Sequence, residues 1–217
     1  IAHALIEAFG SLYGVFQATE EELYSINGMT QNAACFIADF LPISRKIQCS
    51  CFASQKYVSR LSDAVNVLRP YFYGRNSEFI YCLALDLNDR LLQICKISDG
   101  EADSVVINNN KILALVTRTK AKKIILAHNH PAGNIKPSDS DLQSTRMLNV
   151  LLAGVNARLS DHIIFSGDEY FSFYESDLLA CFSDDNSHYA NEQRRKKRSE
   201  GIYMEDEKPS EETLGEE

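Results

Sequence analysis

Hydrophobic residues recur along this chain first at helical spacing and later at strand spacing. In residues 1–50 the pattern predicts short helices, over Ala4–Phe9, from Thr19 through Ile26, and over Gln31–Leu41. In residues 51–76 the apolar side chains lie three or four positions apart, at Tyr57, Leu61, Val65 and Leu68. This spacing predicts one amphipathic helix that bridges the two parts of the chain.

The second part of the chain, from residue 77, has the alternation and β-branched content of strands. Strands are predicted at Phe79–Asp86, Leu91–Ile97, Lys123–His130, Ala157–Phe165 and Tyr170–Phe173. Helices are predicted between them, at Ile112–Thr119 and Asp141–Leu152. Strands that alternate with helices in this way pack as an α/β sandwich, which is the fold class predicted for residues 77–182.

Both ends of the sequence differ from the parts between them. Residues 183–217 lack periodic apolar positions, contain the basic block Arg194–Arg198 and become acidic from Glu205 onward. Such a segment buries too little apolar surface to fold, so a disordered charged tail is predicted. At the other end the chain begins at Ile1, without an initiator methionine and inside a helical pattern, so we expect a fragment.

Candidate chemistry lies in the segment from His128 to Asp141. Residues two apart in a strand point to the same side, so His128 and His130 face one cavity. A proline and a glycine then end the strand, and Ser138 begins a helix whose first turn contains Asp141. Two imidazoles and a carboxylate with an open fourth position are the ligands of a hydrolytic zinc site, so the segment predicts zinc binding.

Each part of this segment also has a purely structural explanation. Ser138 and Asp141 alone are typical of a helix-capping box, in which side-chain oxygens accept from unpaired helix amides. A single histidine at a strand end is usually structural. The metal interpretation depends on the conjunction of two histidines on one face, a forced turn and a returning carboxylate.

Composition narrows the class of protein. The 217 residues are 45% hydrophobic, enough for one substantial core, and no apolar run reaches the roughly 18 residues of a membrane span. The six cysteines show no Cys-x-x-Cys spacing, so free thiols in a reducing cytoplasm are expected. The formal net charge of −8 argues against nucleic acid as a general partner, because Lys and Arg supply most non-specific affinity.

The order His-x-His-Pro-x-Gly, followed by Pro-Ser-x-x-Asp, resembles the JAMM signature of MPN-domain zinc metallohydrolases. The motif His-Asn-His-Pro-x-Gly is similar to that of the bacterial RadC-like branch, and the resemblance extends through Asp161–Ile164 and Tyr170–Phe173. It implies a mixed β-sheet with flanking helices and a Zn²⁺ ion held by His128, His130 and Asp141. It also implies hydrolysis of a peptide or isopeptide bond in a protein or peptide substrate that the sequence does not identify.

The resemblance implies two further groups. The hydroxyl of Ser138 would donate a hydrogen bond to the oxyanion of the reaction. A glutamate from an upstream strand would act as general base, but Leu91–Gly100, where we expect it, contains none. Cys95 and Gln93 are nearest to that position and Glu101 lies beyond it, so we expect a site that lacks its base. Whether the chain is an enzyme therefore stays open, and Cys95 is either a fourth zinc ligand or a small buried hydrophobe.

Residues 26–30 resemble the hairpin of a helix-hairpin-helix unit, as in the N-terminal part of RadC-like proteins. The second glycine of the usual Gly-x-Gly is Thr30 here, and acidic residues outnumber basic ones around it. Both observations argue against DNA binding by this unit. A small packing or protein-contact domain is the alternative.

Two roles stay open for Asp161 and His162. The first is a structural or supporting role, since a histidine at a strand end commonly donates to a backbone carbonyl and a carboxylate next to a metal site commonly orients a ligand imidazole. Alternatively, they form a hydrogen-bonded pair remote from the metal.

Together these observations predict a cytoplasmic RadC-like zinc metallohydrolase of MPN fold, preceded by a small helical unit. One alternative is a binding module that keeps the fold but has lost turnover, which the missing glutamate favours. Another is an accessory protein of DNA repair, against which the acidic balance argues.

Overall fold

A computed structural model describes residues 1–52, 54–99 and 107–182 of the chain. Its strands are β1 (Phe79–Leu85), β2 (Leu91–Asp99), β3 (Lys123–Asn129), β4 (Arg158–Ser166) and β5 (Glu169–Ser172). They form one five-stranded sheet in the order β2-β1-β3-β4-β5. β3 and β4 are parallel and the other neighbours are antiparallel, so the predicted mixed sheet is confirmed.

Helices precede the sheet and cover it. They are α1 (Ala2–Phe9), α2 (Leu12–Gln17), α3 (Glu20–Tyr24), α4 (Gln31–Cys51), α5 (Leu61–Phe72), α6 (Asn109–Thr119) and α7 (Asp139–Gly154). The sequence pattern does not predict α2, because its six residues are too few to show a period and include Gly14, a poor helix former. The predicted capping box that begins α3 is present between Thr19 and Glu22.

Helix α4 is longer than predicted. It continues through Pro42 to Cys51 instead of ending at Leu41. Pro42 lacks an N–H and so removes one helix hydrogen bond. The second half is held against the end of α5, where Arg45 Nη1 donates to the carbonyl of Tyr73 at 2.8 Å. A tertiary contact therefore outweighs the local cost of the proline.

The predicted bridging helix begins only at Leu61, and the assignment of Tyr57 to its apolar face is wrong. Tyr57 is 53% exposed and forms an isolated β-bridge with Arg90. Next to it, the N–H of Val58 donates to the carbonyl of Asp89 at 2.8 Å. The segment before α5 pairs with the turn of the β1–β2 hairpin because that turn offers unpaired backbone groups.

The two faces of the sheet are covered by different helices. Helix α5 packs on one face, where Tyr81, Leu83 and Leu85 of β1 form a core with Ile163 and Phe165 of β4. Since side chains alternate along a strand, the other residues of these strands face the opposite side. There α6 contacts β1 and β2, and α7 contacts β4. This second face carries the histidines of the predicted zinc site.

The N-terminal helices surround a cluster of buried residues of their own, made of Leu5, Val15, Ala18, Leu23, Met29 and Ala34. Between α3 and α4 the chain turns at Gly28, whose φ of 83° is a left-handed conformation that favours glycine. Thr30 then caps α4 by accepting a hydrogen bond from the N–H of Ala33. The helix-hairpin-helix assignment stays a prediction, as do the domain boundaries.

Residues Ile1–Leu179 form one compact unit. The charged tail predicted over residues 183–217 lies outside the described residues. Among the residues that the structure does describe, no helix is both long and apolar enough to cross a membrane.

Candidate metal centre

The two motif histidines lie at the end of β3. His128 is paired with Ile80 of β1, and the N–H of His130, one residue beyond the strand, donates to the carbonyl of Phe165 at 2.8 Å. Their Nε2 atoms are 2.8 Å apart. The side chain of His128 is only 2% exposed, whereas that of His130 is 17% exposed. The pair therefore lies at the edge of the core, open on the side of His130.

The first turn of α7 brings a carboxylate back to this pair. Ser138 is the N-cap of the helix and forms a capping box with Asp141. Asp141 Oδ1 lies 3.2 Å from His128 Nε2, and Oδ2 lies 3.4 Å from His130 Nε2. The structure thus brings together the three ligands that the sequence predicts.

Glu78 is a fourth member of the cluster, and sequence reasoning missed it. Its Oε1 lies 3.6 Å from His128 Nε2 and 4.0 Å from His130 Nε2. β1 runs antiparallel to β3 with Ile80 opposite His128, so Glu78 comes opposite His130 and on the same face. The expectation that no upstream glutamate accompanies the ligands is wrong. The glutamate was expected near β2, but β2 does not border β3, whereas β1 does.

The backbone around Glu78 is held by the residue between the two histidines. Asn129 Oδ1 accepts from the N–H of Phe79 at 2.9 Å, and Asn129 Nδ2 donates to the carbonyl of Ser77 at 2.9 Å. Asn129 is buried, and its amide replaces the strand pairing that ends at Ile80. One side chain therefore fixes the chain on both sides of Glu78.

The residues nearest to the expected position of the base lie away from the cluster. Cys95 is on β2, where it is opposite Cys82 and its Sγ contacts the carbonyl of Lys96. Gln93 Oε1 accepts from the guanidinium of Arg118 at 3.2 Å. Neither belongs to the cluster of potential metal ligands found in the described residues, and Glu101 lies outside those residues. The structure gives no support to Cys95 as a zinc ligand.

Ser138 lies beside Asp141, where its hydroxyl already has a partner. Ser138 Oγ donates to Asp141 Oδ2 at 2.6 Å and accepts from the N–H of Asp141 at 3.1 Å. The structural explanation of this pair as a cap is therefore correct, and it coexists with the position of Asp141 in the cluster. The proposed contact of Ser138 with an oxyanion stays a prediction.

Burial and neighbouring groups shift the pKa values of His128, His130 and Asp141 in different directions. Burial lowers the pKa of His128 to about 4, although Asp141 opposes it, so His128 is neutral at pH 7. The hydrogen bond with Asp141 raises the pKa of His130 above its usual value, against the effect of its partial burial. Burial alone raises the pKa of Asp141, but His130, His128 and Ser138 outweigh it and hold that pKa well below its usual range. A neutral imidazole beside an ionised carboxylate is the state in which both groups can bind a metal.

Behind the cluster, His162 and Asp161 have separate roles. His162 Nε2 lies 2.8 Å from His128 Nδ1, so the alternative that His162 is remote from the site is wrong. Asp161 instead accepts from the N–H groups of His162 and Tyr174 and from the hydroxyl of Ser172, at 2.7, 3.0 and 2.6 Å. Asp161 therefore ties β4 to the turn after β5, while His162 contacts the site.

The donor set fits a zinc ion. Two imidazole nitrogens and carboxylate oxygens from Glu78 and Asp141 all lie within 4.8 Å of one another. Nitrogen and carboxylate oxygen are ligands that zinc accepts in tetrahedral sites. His130 Nδ1 is 2.6 Å from the carbonyl of Asn134. A carbonyl can only accept, so Nδ1 carries a hydrogen and Nε2 of His130 is the nitrogen that would bind the ion.

Comparison with known proteins gives consistent matches over most of the chain. A family model described as the RadC-like JAB domain matches residues 58–178. A UPF0758 protein of Acinetobacter baumannii is 31% identical over 180 residues, which are 82% of this chain and 77% of that protein. A UPF0758 protein of Coprothermobacter proteolyticus is 29% identical over 183 residues, 82% of this chain and 78% of that protein. A UPF0758 protein of Burkholderia thailandensis is 27% identical over 176 residues, which are 81% of this chain and 67% of that protein.

Proposed function

Because this chain belongs to the RadC-like JAB domain family, we propose that it is a zinc metallohydrolase whose ion is held by His128, His130 and Asp141. The observation that carries the proposal is the convergence of these three side chains with Glu78. One side-chain nitrogen or oxygen atom from each of the four residues lies within 4.8 Å of the others. When bound, zinc would polarise a carbonyl and lower the pKa of a water to about 7.

Glu78 is the proposed general base. Its carboxylate faces the same space as the two Nε2 atoms, at 3.6 and 4.0 Å, and comes from the residue that immediately precedes β1. A carboxylate there is in position to accept a proton from a water that attacks a carbonyl. The proposed substrate is a peptide or isopeptide bond of a protein or peptide, a class that comes from the family resemblance alone.

Ser138 is proposed as the donor to the oxyanion. Its hydroxyl donates to Asp141 Oδ2, so this role requires the hydroxyl to turn from the carboxylate toward the substrate. The inactive binding module was favoured by the absence of a glutamate. With Glu78 in the cluster, that reason is gone.

Metal content tests the proposal. Protein reconstituted with zinc and passed over a desalting column should hold one zinc per chain by elemental analysis, and His128→Ala should hold almost none. His3→Ala is the matched control, because His3 is exposed on α1 and should leave the zinc content unchanged. A wild-type protein that retains no zinc would overturn the proposed function.

Activity is the second test. The zinc-loaded protein should cleave at least one member of a panel of peptide and isopeptide substrates, and removal of zinc with a chelator should abolish cleavage. Restoring zinc should restore it. A protein that holds zinc stoichiometrically but cleaves nothing would return the inactive binding module as the better assignment.

A further inference from the structure

A chain of buried polar contacts runs from His128 away from the ligand cluster. His128 Nδ1 lies 2.8 Å from His162 Nε2, and His162 Nδ1 lies 2.6 Å from Thr145 Oγ1. Thr145 Oγ1 in turn lies 2.5 Å from the backbone carbonyl of Asp141. Thr145 and His162 are almost completely buried, at 0% and 1% exposed. This series of contacts thus begins at the proposed ligand His128 and ends on the backbone of the proposed ligand Asp141.

The hydrogen atoms in this chain can be assigned by counting donors. A carbonyl has no hydrogen to give, so the hydrogen between Thr145 and Asp141 belongs to the Thr145 hydroxyl. A hydroxyl has only one hydrogen, so Thr145 can only accept from His162. His162 therefore carries its hydrogen on Nδ1.

The assignment continues to His128. A neutral imidazole with a hydrogen on Nδ1 has a bare Nε2, and complete burial disfavours the charged form of His162. The bare Nε2 of His162 accepts from Nδ1 of His128, so Nε2 of His128 is bare as well. That is the atom 3.2 Å from the carboxylate of Asp141. If the hydrogen bonds ran in the opposite direction, Thr145 would donate to His162 and His128 Nε2 would carry a hydrogen. The hydroxyl oxygen of Thr145 and the carbonyl oxygen of Asp141 would then face each other with no hydrogen between them.

We propose that Thr145 and His162 are positioning residues that fix the tautomer of His128, so that its bare Nε2 faces the ligand cluster. The proposal rests on the proposed function, because a bare nitrogen there matters only if a metal binds to it. A metal requires the lone pair of the imidazole, so a fixed tautomer removes the cost of moving the hydrogen upon binding. Because the Asp141 carbonyl can only accept, it determines the direction of every hydrogen bond in this series.

The tautomers can be read directly in the metal-free wild-type protein. Long-range proton–nitrogen correlation NMR of ¹⁵N-labelled histidines distinguishes a hydrogen on Nδ1 from one on Nε2. We expect both His128 and His162 to carry it on Nδ1. A hydrogen on Nε2 of either ring would overturn the proposal. This measurement needs no zinc and no folded variant, so it stands even if the proposed function fails.

Variants of Thr145 test the consequence for binding. Thr145→Val keeps the shape but removes the hydroxyl, whereas Thr145→Ser keeps the hydroxyl and is the rescue control. Zinc affinity from competition with a fluorescent chelator should fall about 10- to 100-fold in Thr145→Val, the range found when partners of ligand imidazoles are removed. It should recover in Thr145→Ser. An affinity of Thr145→Val within a factor of about two of the wild type would overturn the proposal, whereas a wild type without any zinc affinity would contradict only the proposed function.

Discussion

Glu78 Oε1 lies 3.6 Å from Nε2 of His128, although Glu78 immediately precedes β1, His128 lies in β3, and the two residues are far apart in the sequence. The contact arises because β1 and β3 are neighbours with Ile80 opposite His128. This relationship provides the glutamate that Leu91–Gly100 lacks. Substitution of Glu78 can distinguish the two roles open to it, metal ligand and general base.

Glu78→Gln should keep zinc and lose hydrolysis. The amide has nearly the shape of the carboxylate but cannot accept a proton, so kcat should fall by roughly 10²–10⁴-fold, the usual worth of general acid-base assistance. Kinetics on a cleaved substrate and elemental analysis of the same sample measure both effects. Glu169→Gln, at an exposed position of β5, is the control.

Two outcomes would contradict that assignment. Loss of zinc from Glu78→Gln would make Glu78 a ligand, and unchanged kcat would mean that another group is the base. Cys95→Glu should gain nothing, because Cys95 lies on β2, which does not border β3.

Asn129→Ala should act on catalysis through Glu78. It removes the hydrogen bonds to Phe79 and Ser77 and so releases the backbone on both sides of the glutamate. The N–H of Phe79 loses its partner in a buried position, so the free energy of unfolding should fall by roughly 1–3 kcal/mol. Zinc affinity should change little, because His128 keeps its place opposite Ile80.

A double-mutant cycle with Glu78→Gln measures the coupling. If Asn129 acts by positioning Glu78, the loss of kcat in the double variant should be close to that of Glu78→Gln alone. Fully additive losses in ln kcat would refute this role for Asn129.

Asp161→Ala should destabilise the fold more than it weakens zinc binding. Its carboxylate accepts from two backbone N–H groups and from the hydroxyl of Ser172. Removing it leaves three donors without a partner, two of them buried, so the free energy of unfolding should fall by roughly 3 kcal/mol in urea denaturation. Ser172→Ala removes one of the three bonds and should cost less. A zinc affinity that falls as far as in His162→Ala would show that Asp161 acts on the metal site.

Cys82 should resist alkylation in the folded protein. Burial, reinforced by the neighbouring Cys95, raises the pKa of its thiol far above its usual value, so almost no reactive thiolate exists at pH 8. Cys51 is exposed and should react before Cys82. Iodoacetamide labelling followed by mass spectrometry should modify Cys51 within the time in which Cys82 stays intact, and Cys82 should react once urea unfolds the chain. Equal labelling of both in the folded protein would contradict the described burial.

The sequence predicted the local parts of this protein well. Each strand was placed within a few residues, and the capping box of Ser138 and Asp141 was identified from its residue types. The spacing of His128 and His130 predicted that they share a face. Strand period, turn residues and helix caps act between near neighbours in the chain, so they can be recognised without knowing what packs against them. The motif also led to the RadC-like family, which the comparison confirmed.

Only the tertiary structure decided which distant residues join the motif. The order of the strands made β1 the neighbour of β3, and their register brought Glu78 to the histidines. The parallel pairing of β3 with β4 placed His162 beside His128, and α7 brought Thr145 to His162. Strand pairing depends on contacts between segments far apart in the sequence, and a shift of one residue would turn each side chain to the opposite face. No local pattern specifies that register, so the sequence alone predicted the proposed ligands His128, His130 and Asp141 but could not predict that Glu78 joins them or that hydrogen-bonded residues lie behind them.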